Sequence, residues 1–229
     1  MTLISKPKLV IFDLDGTLLD TSDGIIACYN ETAIHFGFSP KNNAHCFHGI
    51  IGGSLKSGFT ALYSMNDATA DAAVLYYREL YNQKGKYRYA LYPGIAELLI
   101  SLQKNNIMTA VATLKLEQFA KDMLQHAGLC DYLGEIFGEN GNGLTKEELL
   151  KKAMDRFGTS PDDTILVGDS IYDADGAWKA KIGFVAVCYG WGFINELDAK
   201  STYHSAIAAN ASEIITLLNL RSGDSSISY

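Results

Sequence analysis

Two carboxylates, Asp13 and Asp15, stand directly after the apolar run Leu9, Val10, Ile11 and Phe12, and Gly16 and Thr17 follow at once. A second acidic pair, Asp169 and Asp173, follows another apolar run in the segment ILVGDSIYDADGA. Like charges this close repel, and burying them beside a hydrophobic strand without compensation is costly or shifts a pKa. A divalent cation removes that cost. Magnesium suits such acids because it is a hard ion that takes oxygen from one or two carboxylates and keeps room for water and a substrate phosphate. Two further residues fit an anionic ligand. Thr113 ends the apolar run IMTAVAT, where a hydroxyl and the free N–H groups of a following helix would face a phosphate; taken alone it also reads as a helix N-cap. Lys146 opens the helical stretch KEELLKKAMDRF, an end where the dipole disfavours a cation, so it invites an anionic partner unless Glu147 or Glu148 pairs with it.

The elements that must carry these residues are strands ending at one sheet edge. Residues 9–12 read as a strand buried on both faces, with Gly16 permitting the sharp turn that ends it. The acids then lie at the strand's carboxyl end, where ligands bind in an open α/β sheet. From residue 107 onward strands and helices alternate: strands at 107–113, 136–137, 164–168, 183–188 and near 204–207, with helices between them and a last helix ending near Leu220. This predicts an α/β fold with a doubly wound parallel sheet and helices on both faces. The four-residue spacing of Asp169 and Asp173 predicts one shared face of a first helical turn. No convincing strand occurs between Gly16 and Asn106, far more chain than a crossover needs. The surplus predicts an inserted helical lobe at residues 18–89, leaving a core of 1–17 and 90–229. Asp20, Thr21 and Ser22 read as the cap of the lobe's first helix, and the tail at 222–229 reads as disordered.

Composition narrows the function. A formal net charge of −7 argues against a general nucleic-acid or anionic-membrane binder, which needs clustered positive charge. It leaves an anionic small molecule open, because a bound cation reverses the field inside a pocket. The four cysteines are scattered, with no CxxC pair, and no apolar run reaches signal or membrane-spanning length. The expected setting is a reducing cytoplasm.

Asp13-Leu14-Asp15-Gly16-Thr17, Thr113, Lys146 and Gly168-Asp169 with Asp173 resemble, in order and placement, the four motifs of the haloacid dehalogenase superfamily. The resemblance covers nearly the whole chain. The lobe falls where a C1-type helical cap does, and YGWGFINEL at 189–197 is similar to a segment of the phosphoglycolate phosphatase group. The resemblance implies a Rossmann-like core and a magnesium-dependent phosphatase acting on a small phosphorylated metabolite, phosphoglycolate-like or a sugar phosphate, as a monomer or homodimer. It also implies roles. Asp13 is the nucleophile that forms an aspartyl-phosphate, and Asp15 protonates the leaving alkoxide and then deprotonates the attacking water. Thr113 and Lys146 hold phosphoryl oxygens. The metal is held by Asp13, Asp169 and the backbone carbonyl of Asp15, with Asp173 orienting its waters. Within the fold, a phosphomutase or pyrophosphatase would use the same residues, whereas a dehalogenase needs neither Asp15 nor the acids at 169 and 173. A non-catalytic binding protein would tolerate loss of residues that are all present. Lys115 reads as an exposed helix lysine or a leaving-group contact. In the lobe, Lys56 and the loop at 49–54 are candidates to meet the leaving group, while His45 and His48 read as structural.

Overall fold

The computed structural model describes residues 6–220, so the tail expected to be disordered at 222–229 lies outside the described residues. Four bulky apolar residues in succession form β1 (Leu9–Phe12), and all four side chains are fully buried. Each such burial contributes roughly 1.5–3 kcal/mol. Gly16 then turns the chain with φ +81°, and a Cβ there would run into the Asp169 carboxylate.

The chain leaves the sheet through β2 (Leu19–Asp20) and builds α1 (Ser22–His35), α2 (Leu55–Tyr63) and α3 (Asp67–Leu80), which continues as a π turn over Tyr81–Gly85. It returns through β3 (Ala90–Leu91). The sequence predicts no strand in this interval, and the structure corrects that: β2 and β3 pair antiparallel, with Leu19 opposite Leu91. Strands two residues long carry no periodicity to read. The helices between them share an aromatic cluster in which the Tyr29 ring lies 4.6 Å from Phe59 and 5.1 Å from Tyr77.

The alternating part follows: α4 (Ile95–Lys104), β4 (Met108–Leu116), α5 (Glu117–His126), β5 (Glu135–Glu139), α6 (Lys146–Phe157), β6 (Thr164–Gly168) and α7 (Ile171–Ala180). Then come β7 (Gly183–Val187), α8 (Glu196–Lys200), β8 (Ala206–Ala208) and α9 (Ala211–Leu217). The sheet order is β5-β4-β1-β6-β7-β8 and every neighbouring pair is parallel, the expected doubly wound sheet. Side chains of β1 alternate between its faces. Leu9 and Ile11 share a core with Leu150 of α6 and Ala177 of α7, while Val10 and Phe12 share the other with Leu99, Met123 and Ile214 of α4, α5 and α9.

Phe12 is flanked in register by Val111 and Val167. Asp13, Thr113 and Asp169, one or two residues beyond these three, therefore lie near one another at the sheet's carboxyl edge. The winding also reverses at β1, which has β4 on one side and β6 on the other, and that reversal opens the crevice of such sheets. β4 is longer than the predicted strand at 107–113. It shifts register after Thr113 and rejoins β5 where Leu116 meets Glu139, so residues 114–116 are extended rather than helical. Pairing with β5 overrides the helix signal. No helix among the described residues is long and apolar enough to cross a membrane.

Candidate active site

Asp13, Asp169 and Asp173 are buried, and each brings a carboxylate oxygen within 4.8 Å of the others. Asp13 continues β1. Asp169 continues β6, ahead of the helix rather than in it, so the predicted shared helical face is corrected: only Asp173 lies in the first turn of α7. A capping box fixes Asp173, whose Oδ2 accepts from Ser170 N at 3.1 Å and Ser170 Oγ at 2.6 Å. Asp169 Oδ2 accepts two backbone N–H groups, from Trp191 and Gly192, each at 2.8 Å. Thr17 Oγ1 donates to Asp169 Oδ1 at 3.4 Å.

Lys146 is the first residue of α6. Its neighbouring glutamates are used elsewhere: Glu148 closes a capping box with Thr145, and Glu147 pairs with Lys151 at 2.6 Å. The lysine is thus left to enter the acid cluster. Its Nζ lies 2.7 Å from Asp13 Oδ1 and 2.8 Å from Asp173 Oδ1, and it donates to the Ala112 carbonyl at 2.8 Å. Burial disfavours its ammonium, but Asp13 and Asp173 more than offset that and raise its pKa.

One ammonium among three carboxylates leaves excess negative charge. Burial pushes Asp13 up to about 7, although Lys146 beside it pulls the other way and Asp173 and Asp15 add to the rise. Burial, with Asp173 and Asp13 nearby, also holds Asp169 well above the ordinary carboxylate range. Asp173 Oδ1 is fully buried and, apart from its ion pair with Lys146, accepts no hydrogen bond of good angle. Hard oxygen donors and crowded negative charge that one ammonium does not balance together fit a divalent cation.

The Asp15 carboxylate stands outside this cluster. Its Oδ1 accepts from Thr21 Oγ1 at 2.7 Å, and Lys115 Nζ lies 2.8 Å from its Oδ2. Three readings are corrected here. Thr21 sits at the N-cap of α1 but its hydroxyl makes no cap bond and serves Asp15, while Asp20 Oδ1 accepts from Ser22 N and from the Trp191 indole N–H. Thr113 is buried in β4 and its Oγ1 accepts from Lys115 N at 3.2 Å, so it caps no helix. Lys115 is on the strand with its side chain only 8% exposed, its ammonium 4.7 Å from the centre of the Tyr81 ring.

Removing the Lys115 ammonium would strand a buried carboxylate. Breaking such a pair costs about 3–5 kcal/mol. Lys115→Met is therefore expected to lower the thermal midpoint and to cut kcat by roughly 10²-fold or more, the scale of a positioned acid–base group. Calorimetry with steady-state kinetics checks both; an unchanged kcat would detach Lys115 from the site.

A cavity of about 760 Å³ lies over the sheet edge, with Asp15, Lys115 and Lys146 among its lining residues. Gly52, Gly53, Ser54 and Lys56 of the helical segment also line it. Lys56 Nζ is 2.9 Å from Asp71 Oδ1. His48 does not line it; its ring stacks 4.9 Å from Trp191 and 5.6 Å from His45.

The profile of haloacid dehalogenase-like hydrolases matches residues 10–187. The chain belongs to this family. A 5'-nucleotidase of Pseudomonas aeruginosa is 32% identical over 197 residues, 85% of this chain and 89% of that protein. The tyrosine-protein kinase PtkA of Mycobacterium tuberculosis is 32% identical over 211 residues, 91% of this chain and 72% of that protein. The crystal structure of a predicted phosphatase from Clostridium acetobutylicum superposes with a TM-score of 0.86 at 32% identity, covering 93% of this chain and 99% of that one. Phosphoglycolate phosphatases also match.

In this haloacid dehalogenase-like hydrolase the late segment at 189–197 works largely through its backbone. Besides the two N–H groups on Asp169 Oδ2, Phe193 N donates to the Asp169 carbonyl at 2.8 Å and Tyr189 Oη donates to the Thr17 carbonyl at 3.0 Å. Residue types do not announce backbone donors, so sequence reasoning could flag the segment but not its task. Lys115 and Thr21 were missed differently: their partner, Asp15, lies on another element, and each had a plausible local role.

Proposed function

We propose that this haloacid dehalogenase-like hydrolase is a magnesium-dependent phosphatase that cleaves small phosphate monoesters through an aspartyl-phosphate on Asp13. The observation that carries this reading is the buried convergence of Asp13, Asp169 and Asp173 on one point, with Asp15 facing the adjoining cavity. Relatives named as a 5'-nucleotidase and as phosphoglycolate phosphatases support phosphate-ester chemistry.

In this reading an Asp13 carboxylate oxygen attacks phosphorus, the ester P–O bond breaks, and the leaving alkoxide takes a proton from Asp15. Water then attacks the phosphoaspartate and gives a proton to Asp15, and the P–O bond to Asp13 breaks to release phosphate. Asp13 and Asp169, with the Asp15 carbonyl, would hold the metal, and Asp173 would orient its waters. When bound, the ion supplies positive charge that lets an anionic nucleophile meet an anionic ester. Lys146 and the Thr113 hydroxyl would bind phosphoryl oxygens, and the Lys115 and Thr21 contacts would keep Asp15 aimed at the leaving group. Residues 18–89 would act as a cap domain over the core of 1–17 and 90–229, excluding water during the first step and admitting it for the second.

The test is phosphate release from a panel of monoesters with magnesium, before and after chelation. Chelation is expected to cut turnover by more than roughly 10²-fold, with recovery on adding magnesium back. Turnover that survives chelation would remove the metal from the account, and no release from any ester would remove the phosphatase.

A further inference from the structure

The cavity is larger and more apolar than a two-carbon acid or a bare sugar needs. Its volume of about 760 Å³ falls within the range of pockets that enclose drug-sized ligands, roughly 300–1,000 Å³. The half-buried side chains of Ile50, Val74, Leu114, Leu116, Phe119 and Tyr172 line it. Behind them runs an aromatic wall that starts at the catalytic end: Tyr81 lies under the Lys115 ammonium, Tyr77 stacks on Tyr81 at 5.6 Å and 11°, and Tyr29 follows 5.1 Å from Tyr77.

Charge points the same way. Every cation lining the cavity among the described residues already faces an acid. Lys56 is 2.9 Å from Asp71, Arg78 3.5 Å from Glu139 through one terminal nitrogen with its Nε left unpartnered, and Lys179 2.7 Å from Asp175, while Lys115 and Lys146 hold Asp15 and Asp13. A second anionic group on the substrate, such as a carboxylate, would reach a cation only beside an acid that already faces it. An uncharged ring would displace only water from an apolar surface.

Resting on the phosphatase reading above, we infer that the preferred substrates are phosphate monoesters whose leaving group is uncharged and carries an aromatic ring. Nucleoside 5'-monophosphates and simple aryl phosphates share this chemistry. Phosphoglycolate does not, because its leaving group bears a carboxylate, and ribose 5-phosphate lacks the ring.

The experiment compares kcat/KM with magnesium for nucleoside 5'-monophosphates, phenyl phosphate, ribose 5-phosphate and phosphoglycolate. The first and third share a primary alkoxide leaving group, so their ratio isolates the ring. Nucleotides are expected to exceed ribose 5-phosphate by roughly tenfold or more, the scale of discrimination by an apolar pocket. A preference for phenyl phosphate alone, with nucleotides no faster than ribose 5-phosphate, overturns the inference, because phenoxide is the better leaving group whatever the cavity recognises. Faster hydrolysis of ribose 5-phosphate or phosphoglycolate overturns the inference and leaves the phosphatase standing, whereas no hydrolysis of any ester overturns both. Leu75, 70% exposed at the cavity wall, gives a variant the fold does not depend on. Leu75→Ser and Phe119→Ala are each expected to shift the ring-bearing to ring-free ratio about fivefold toward ribose 5-phosphate; an unmoved ratio in both contradicts the inference.

Discussion

Asp13→Asn is expected to abolish turnover, by on the order of 10⁴-fold or more, while the protein stays folded. Asparagine keeps the shape of the side chain but cannot form the phosphoaspartate, so the loss falls on kcat and no buffer or substrate concentration restores it. Stability should hold or rise, because the substitution removes one of three crowded buried carboxylates and leaves Lys146 paired with Asp173 at 2.8 Å. Steady-state kinetics and a thermal melt on the same preparation check the two halves. Retained turnover would take the nucleophile's role from Asp13.

Lys146→Met is expected to damage both properties. The ammonium bridges Asp13 and Asp173 and donates to the Ala112 carbonyl, and its side chain is only 4% exposed. Its loss leaves three buried carboxylates with no cation of the described residues paired to them, and breaking such a pair costs about 3–5 kcal/mol. kcat/KM should fall by roughly 10²–10³-fold, the scale of removing one electrostatic contact to a developing anion. Because the same acids would bind a divalent ion, magnesium should raise the thermal midpoint of Lys146→Met more than that of the unaltered protein. Equal shifts in the two proteins would mean that the ion and the ammonium do not serve the same carboxylates.

The parts of this site that could be read from the sequence are those whose chemistry conflicts with local structure. Two acids after a run of four apolar residues have no reason to be there unless something neutralises them, and Lys146 opens a helix at the end that repels it. Side chains that satisfy a local role concealed the rest. Thr21 looks like a helix cap, and Lys115 looks like a surface lysine until β5 extends β4 past Thr113 and turns the ammonium onto Asp15. The amides of Trp191 and Gly192 and the two-residue strands β2 and β3 depend on tertiary geometry that no spacing encodes. The sheet itself was legible because β1, β6 and β7 are short and apolar and are punctuated by helices with clear ends. Its order followed only from the paired registers.

Manganese in place of magnesium makes the ion visible by anomalous diffraction from crystals of the unaltered protein. A single strong anomalous peak bonded to the carboxylates of Asp13 and Asp169, with Asp173 beside it, is the predicted result. Saturating manganese with no peak at those oxygens, or with a peak only elsewhere on the molecule, would contradict the claim that these three acids are gathered to share one cation.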